Sequence, residues 1–154
     1  MTTERDLDRL DRAILRLLAD DSSLSLADIA AQVGLTATPC WKRIRRMEQD
    51  GIIQRRVAVI DPTKVGLPVS VFVEVETADH SNEWLQRFAK VVEDAPEIVD
   101  AWRMSGDVDY LLHVVVPDIA AYDAFYRKLI ASVPLRNVSS RFSMERMKAA
   151  RLPL

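Results

Sequence analysis

The hydrophobic period of the chain changes from about 3.6 residues to 2 across "DPTKVGLP", residues 61–68. With two prolines and a glycine, that segment reads as a linker. Before it, apolar residues recur at helical spacing. Leu7, Leu10, Ile14, Leu17 and Leu18 predict a helix over residues 8–18, with Arg9, Arg12 and Arg16 on the other side. A second helix is predicted in "SLADIAAQVGL", with Ser25 as N-cap, Asp28 three residues later and Gly34 at the C-terminal end. A third begins at Thr36 or Thr38, carries Pro39 in its first turn and runs to Gly51. Three short helices, the last two separated by a few residues, make a helix-turn-helix arrangement. "IIQRRVAVID" then alternates as a strand would.

After the linker, "VSVFVEVET" alternates strictly, with Val69, Val71, Val73 and Val75 on one face. "SNEWLQRFAKVVEDAP" has helical period. "EIVDAWRMSG" and "DVDYLLHVVV" are strands joined near Gly106, and "DIAAYDAFYRKLIASV" is helical with Asp118 as cap. "NVSSRFSMERMK" closes the series, with Val138, Phe142 and Met144 alternating. The order β-α-β-β-α-β predicts a ferredoxin-like unit. The expected class is therefore α+β: a winged helix-turn-helix domain over residues 1–60, a linker over 61–68 and a ferredoxin-like domain over 69–154.

About half of the 154 residues are apolar (49%) and 29% are charged, enough for a real core in a soluble chain. No apolar run is long enough to span a bilayer, and "MTTERDLDRL" has no apolar core of a secretory leader, so the expected location is the cytoplasm. The single cysteine forms no internal disulfide and fits a reducing compartment. The net charge of −2 argues against a nucleic-acid partner only if it is spread evenly. Residues 1–60 hold 10 Lys and Arg against 9 Asp and Glu, while residues 61–154 hold 11 against 14.

Four of those cations stand in "WKRIRR". At about 100° per residue, Cys40, Ile44 and Met47 share one arc of the third helix, with Trp41 on its flank. Lys42, Arg43, Arg45 and Arg46 fall around the other side. Such a face suits phosphates, and Arg also reads guanine in the major groove. Thr36 and Thr38 add hydroxyls at the positive end of the helix dipole. Surface ion pairing with Glu48 and Asp50 is the plainer use of these charges, but the preceding helix-turn-helix pattern supplies a docking geometry as well. The predicted DNA-binding residues are Thr36, Thr38, Lys42, Arg43, Arg45 and Arg46. Cys40 lies on the apolar arc, where a thiol behaves as a small hydrophobe.

The second candidate is "SGDVDY". Gly106 permits a tight turn, and Asp107 and Asp109 can accept hydrogen bonds from an ammonium group. A zwitterion also needs donors; Ser105, Ser139 and Ser140 supply hydroxyls if the last strand lies near the loop in a neighbouring subunit. An ordinary β-turn explains Ser, Gly and Asp equally well, and an Asp-x-Asp metal site lacks clustered partners. His113 reads as a packed core or interface residue. Trp102 and Met104 line either a pocket or ordinary core, and Trp84 is core.

Two long stretches resemble the Lrp/AsnC (feast/famine) family of transcriptional regulators. "LDRLDRAILRLLADDSSLSLADIAAQVGLTATPCWKRIRRMEQDGII" is similar to its helix-turn-helix signature. "APEIVDAWRMSGDVDYLLHVVVPDIAAYDAFYRKL" and the final "LPL" are similar to its effector domain. Within the family, "TPCWKR", "SNEWLQRF", "WRMSGDVDYL" and "FSMERMK" are most similar to the cysteine-responsive subgroup. The resemblance implies a homodimer whose C-terminal sheets pair, assembly into octamers or other rings, and an amino acid bound where those domains meet. It favours the effector reading over the plain turn, first at Gly106 and Asp107; the predicted effector-binding residues are Ser105, Gly106, Asp107, Asp109, Ser139 and Ser140. This chain departs from the family's Pro-Gly-Val turn, reading Pro134-Leu135-Arg136-Asn137-Val138, and has Ala149, Ala150 and Arg151 after Lys148.

The reading that follows is a regulator binding double-stranded DNA under control of a small amino acid, cysteine being the one the subgroup points to. It has no catalytic residues, no metal and no cofactor beyond that effector, and governs amino-acid metabolism. The alternatives are an amino-acid-binding interaction module, or a small enzyme with Cys40 as nucleophile. The nucleophile would need a base partner that the sequence does not supply.

Overall fold

The computed structural model describes residues 7–154 and divides the chain into two compact units. One unit runs to Val59 and also takes in Lys148–Leu154; the other is Ile60–Met147.

The first unit holds three helices: α1 (Arg9–Asp20), α2 (Leu26–Val33) and α3 (Ala37–Gln49). Their ends follow from local chemistry. Asp8 accepts from the Asp11 N–H, and Asp11 accepts in return from the Asp8 N–H, a reciprocal cap at the start of α1. The Ser25 hydroxyl accepts from the Asp28 N–H at the start of α2. Gly34 ends α2 at φ 72°, a left-handed conformation that costs glycine little, and the turn into α3 depends on it. Ile14, Leu15, Ile29, Ala30, Cys40, Ile44 and Met47 form the core.

Three expectations change in this unit. The segment expected as a strand, residues 52–61, carries no strand ladder, and Val57, Val59 and Ile60 are exposed. Alternation is only half of a strand; the other half is a partner edge, and every ladder of the described residues lies in the second unit. The α1 stripe includes Leu15 and a buried carboxylate, Asp11. Finally, residues 148–154 join this unit instead of the one expected over 69–154. Leu154 packs against the helical core, the Arg16 Nε donates to its carbonyl at 2.5 Å, and Arg151 pairs with Asp20 at 3.2 Å.

The second unit opens with a short 3-10 turn, Pro62–Val65, within the expected linker. Then follow β1 (Val69–Glu76), α4 (Asn82–Asp94), β2 (Ile98–Arg103), β3 (Tyr110–Val116), α5 (Ile119–Ser132) and β4 (Asn137–Phe142). The four strands form one sheet in the order β2-β3-β1-β4, with every neighbour antiparallel. This is the predicted ferredoxin-like plan. Val71, Val73 and Val75 of β1 and Leu112, Val114 and Val116 of β3 are buried in one core with Trp84 and Phe88 of α4 and Phe125 and Leu129 of α5. Trp84 is core, as expected, and its ring N–H donates to the Pro134 carbonyl at 2.8 Å. Strand β4 ends at Phe142, so Met144 does not continue the alternation and is exposed.

The opposite face of the sheet carries Phe72, Glu74, Leu111, His113, Ser139 and Arg141, by their registers across β3, β1 and β4. His113 stacks on Phe72 with ring centroids 4.7 Å apart, and its Nε2 lies 2.7 Å from the Ser70 hydroxyl. Burial lowers its pKa below the ordinary 6.5, with Arg146 pushing the same way and Asp100 opposing. A lowered imidazole pKa favours the neutral form in the fold. The stability it contributes is present above about pH 6.5 and is lost as pH falls toward the folded value. Thermal unfolding of His113→Gln is therefore expected to change less than wild type between about pH 7 and pH 5.5. Equal slopes would remove His113 as the source.

Candidate DNA-reading face and effector cavity

Helix α3 has two kinds of cation. Arg45 and Lys42 are exposed, together with Thr38 and Trp41, and these four recur at the three- and four-residue spacing of one outward stripe. Cys40, Ile44 and Met47 are buried on the opposite side. Thr36 is the N-cap residue, yet its side chain makes no capping bond, so its hydroxyl is not committed to the helix. The first backbone N–H groups of α3 have no intrahelical acceptor, and Pro39 supplies none. Arg45 lies with its guanidinium carbon 6.0 Å from the Trp41 ring centroid and pairs with Glu48 at 3.2 Å. A pair so exposed contributes little and yields readily to a phosphate.

Arg43 and Arg46 are placed differently from the expectation of an outward basic face. Arg43 Nη1 reaches Asp8 at 2.6 Å and Asp11 at 2.8 Å, and Arg46 Nη2 reaches the other Asp11 oxygen at 2.5 Å. Asp11 is 1% exposed, so both arginines lie along the seam between α1 and α3. The hydrogen bonds to Asp11 and Asp8 raise the Arg43 pKa. At Asp8, the backbone N–H of Asp11 and then the Arg43 guanidinium hold the carboxyl below its ordinary range. The signal was present in the helical wheel: Arg43 falls only about 40° from Met47 on the apolar arc. Arg46 keeps a partly exposed side chain at the border of the stripe. Burial pushes the Cys40 thiol up, against a smaller opposing pull from Arg43. A buried thiol with a raised pKa is a packing residue and a poor nucleophile.

In the second unit, the β2–β3 turn shapes a polar cavity of about 420 Å³ lined by Glu76, Thr77, His80, Gly106, Asp107, Asp109 and Arg136. Gly106 adopts φ 104°, as a tight turn requires. Asp109 is the structural member. Its Oδ2 accepts the Thr77 N–H at 2.8 Å, its own N–H donates to Val75 at 3.0 Å, and its carbonyl accepts from Met104 at 2.8 Å. Gly106, Asp107 and Asp109 thus line one cavity. Ser105 precedes them in the turn and does not line the cavity.

Ser139 and Ser140 are not brought there within one chain. Ser139 is opposite Glu74 on the sheet face away from α4 and α5, and the Ser140 hydroxyl is hydrogen-bonded to the Tyr122 hydroxyl on the helical side. Thr77, His80 and Arg136 line the same cavity and were not among the expected site residues. They sit on other loops, and only the pairing of β1 with both β3 and β4 carries them to Asp107. Trp102 lines a separate cavity against α4 with Arg103 and Tyr110, while Met104 is exposed. Among the described residues, no group of three or more His, Cys, Asp or Glu is set to hold a metal ion, and no helix is long and apolar enough to cross a membrane.

A helix-turn-helix unit with a solvent-facing cationic stripe, joined to a sheet unit with a polar cavity, defines a two-domain DNA-binding regulator. Comparison with known proteins agrees in both halves. Residues 7–54 match the model of the winged helix-turn-helix DNA-binding family, and residues 70–153 match that of the Lrp/AsnC ligand binding domain. The chain belongs to the Lrp/AsnC family of transcriptional regulators. It is 50% identical to the DNA-binding transcriptional activator DecR of Escherichia coli K12 over 92% of its own length and 94% of that protein. An AsnC family transcriptional regulator from Agrobacterium tumefaciens superposes with a TM-score of 0.90 at 61% identity, covering 95% of this chain and 96% of that one. A Neisseria meningitidis transcriptional regulator solved as a complex with L-Met superposes with a TM-score of 0.88 at 26% identity, covering 94% of each chain. The protein is accordingly a DNA-binding regulator with an amino-acid ligand-binding domain, and not an enzyme.

Proposed function

We propose that α3 reads the major groove through Thr38, Trp41, Lys42 and Arg45. Thr36 and the open helix N-terminus take a phosphate, and Arg46 borders the contact. The observation that carries this reading is the segregation on α3 of exposed Lys42 and Arg45 from Arg43, whose charge is committed to Asp8 and Asp11. Arg43 then acts as a positioning residue. An amino acid bound at residues 105–109 controls the affinity for DNA, and genes of amino-acid metabolism are the targets. Cysteine is the first effector to try, on the resemblance of "TPCWKR" and "WRMSGDVDYL" to the cysteine-responsive subgroup. The L-Met complex of the Neisseria relative makes methionine the second.

The working form is a homodimer in the cytoplasm, built from residues 69–154 and assembled into an octamer or other ring. The sheet face bearing Phe72, Leu111 and His113 supports pairing, and Ser139 on that face enters a ligand site only from a neighbouring subunit. A dimer presents two copies of α3 to half-sites about one DNA turn or a multiple apart. Gel-shift titration on genomic fragments at two salt concentrations, with and without cysteine or methionine, tests the whole reading. Salt-sensitive binding that either amino acid alters is the expected result. Salt-independent or absent binding would reduce the protein to an interaction module.

A further inference from the structure

Arg136 and Asp107 carry opposite charges into the same 420 Å³ cavity, yet neither makes an ion pair or side-chain hydrogen bond among the described residues. Their neighbours are already engaged. Asp109 Oδ2 accepts from Thr77, and Glu76 Oε1 accepts from the Asn137 amide at 3.0 Å. Backbone contacts fix the chain from which each open charge projects. The Arg136 N–H donates to the Glu76 carbonyl at 2.8 Å, and Asp107 follows Gly106 in a turn closed by Asp109. A guanidinium and a carboxylate that share a cavity without meeting leave room for a molecule that satisfies both. A simple anion would leave Asp107 unpaired, and a simple amine would leave Arg136 unpaired. A zwitterion answers both at once, and the planar guanidinium suits a carboxylate through two parallel hydrogen bonds.

We propose that Arg136 binds the α-carboxylate of the effector while Asp107 binds its α-ammonium group, so that the cavity selects free α-amino acids against their amides and decarboxylated amines. This rests on the reading of residues 105–109 as the effector loop. His80, on the cavity wall, faces what remains of the ligand.

The test uses the full-length protein. An equimolar mixture of the twenty protein amino acids, under reductant, is dialysed against it and the retained species identified by mass spectrometry. Calorimetry then compares the retained amino acid with its amide and its decarboxylated amine. Wild type should bind the amino acid about tenfold or more tightly than the amide. Arg136→Gln should lose that preference while binding the amide as wild type does, and Arg136→Lys should recover part of it. Asp107→Asn should weaken both. An Arg136→Gln protein that still prefers the amino acid, alongside an Asp107→Asn protein that has lost it, would remove Arg136 and leave the effector loop intact. Two variants that both bind as wild type would place the effector elsewhere, and retention of no amino acid would overturn both readings.

Discussion

Asp11→Ala is expected to destabilise the helical unit by about 2–3 kcal/mol, although it removes a single carboxylate and no apolar side chain. Asp11 is 1% exposed and accepts from Arg43, Arg46 and the Asp8 N–H. Its removal breaks three charge-assisted hydrogen bonds, one of which, from the Asp8 N–H, is half of the α1 cap. The two arginines can turn partly to solvent, which keeps the cost below that of stranding a fully buried charge. Arg43→Ala leaves Asp11 with Arg46 and one N–H, so it should also destabilise, by about 1–2 kcal/mol. Urea unfolding followed by circular dichroism measures both. If Asp11→Ala unfolds at the wild-type midpoint, the network is a surface ornament and Arg43 returns to the DNA-binding set. Acid should weaken the same network: the Asp8 carboxyl is held below 3.8, so its contribution is present above that value and fades as pH falls through the lowered one.

The second large effect separates function from stability. Lys42→Ala combined with Arg45→Ala should leave the unfolding midpoint within about 0.5 kcal/mol of wild type, because both side chains are exposed. DNA affinity should nevertheless fall sharply, and the slope of log affinity against log salt should shrink by about 0.9 for each phosphate that is no longer neutralised. Fluorescence anisotropy with a genomic fragment at four salt concentrations reads that slope. An unchanged slope in the double variant would mean that the stripe does not touch the phosphates. Opposite outcomes for the Asp11–Arg43 seam and the Lys42–Arg45 stripe would establish that one short cationic run serves two purposes.

Much of the fold was legible because its signals are local. The alternation in β1, the caps at Ser25 and Asp118 and the glycine after α2 each depend on residues within a turn of one another. Of the proposed effector site, the part that could be named in advance is the local one, Gly106, Asp107 and Asp109, which line one cavity. What stayed hidden is what depends on distant partners. Asp11 occupies a core position of α1, four residues after Leu7 and three before Ile14, but an apolar-stripe rule passes over a carboxylate. Only α3, more than thirty residues later, supplies the cations that let it be buried. "IIQRRVAVID" has a strand's alternation, but without a partner edge it forms no ladder. Arg136 gives no sign of its neighbours, since its approach to Asp107 needs β1 to pair on both sides.

The helical unit draws on two separate stretches of the chain: the run to Val59 and Lys148–Leu154. It is thus a discontinuous module, with the sheet unit inserted into it. No single cut excises it intact, and a fragment ending at residue 60 would lack the Leu154 side chain and the Arg16 acceptor that complete it. An isolated DNA-binding fragment made in that way would underestimate the stability of the module in the whole protein. A graft that rejoins the last seven residues through a flexible spacer would be the fairer comparison.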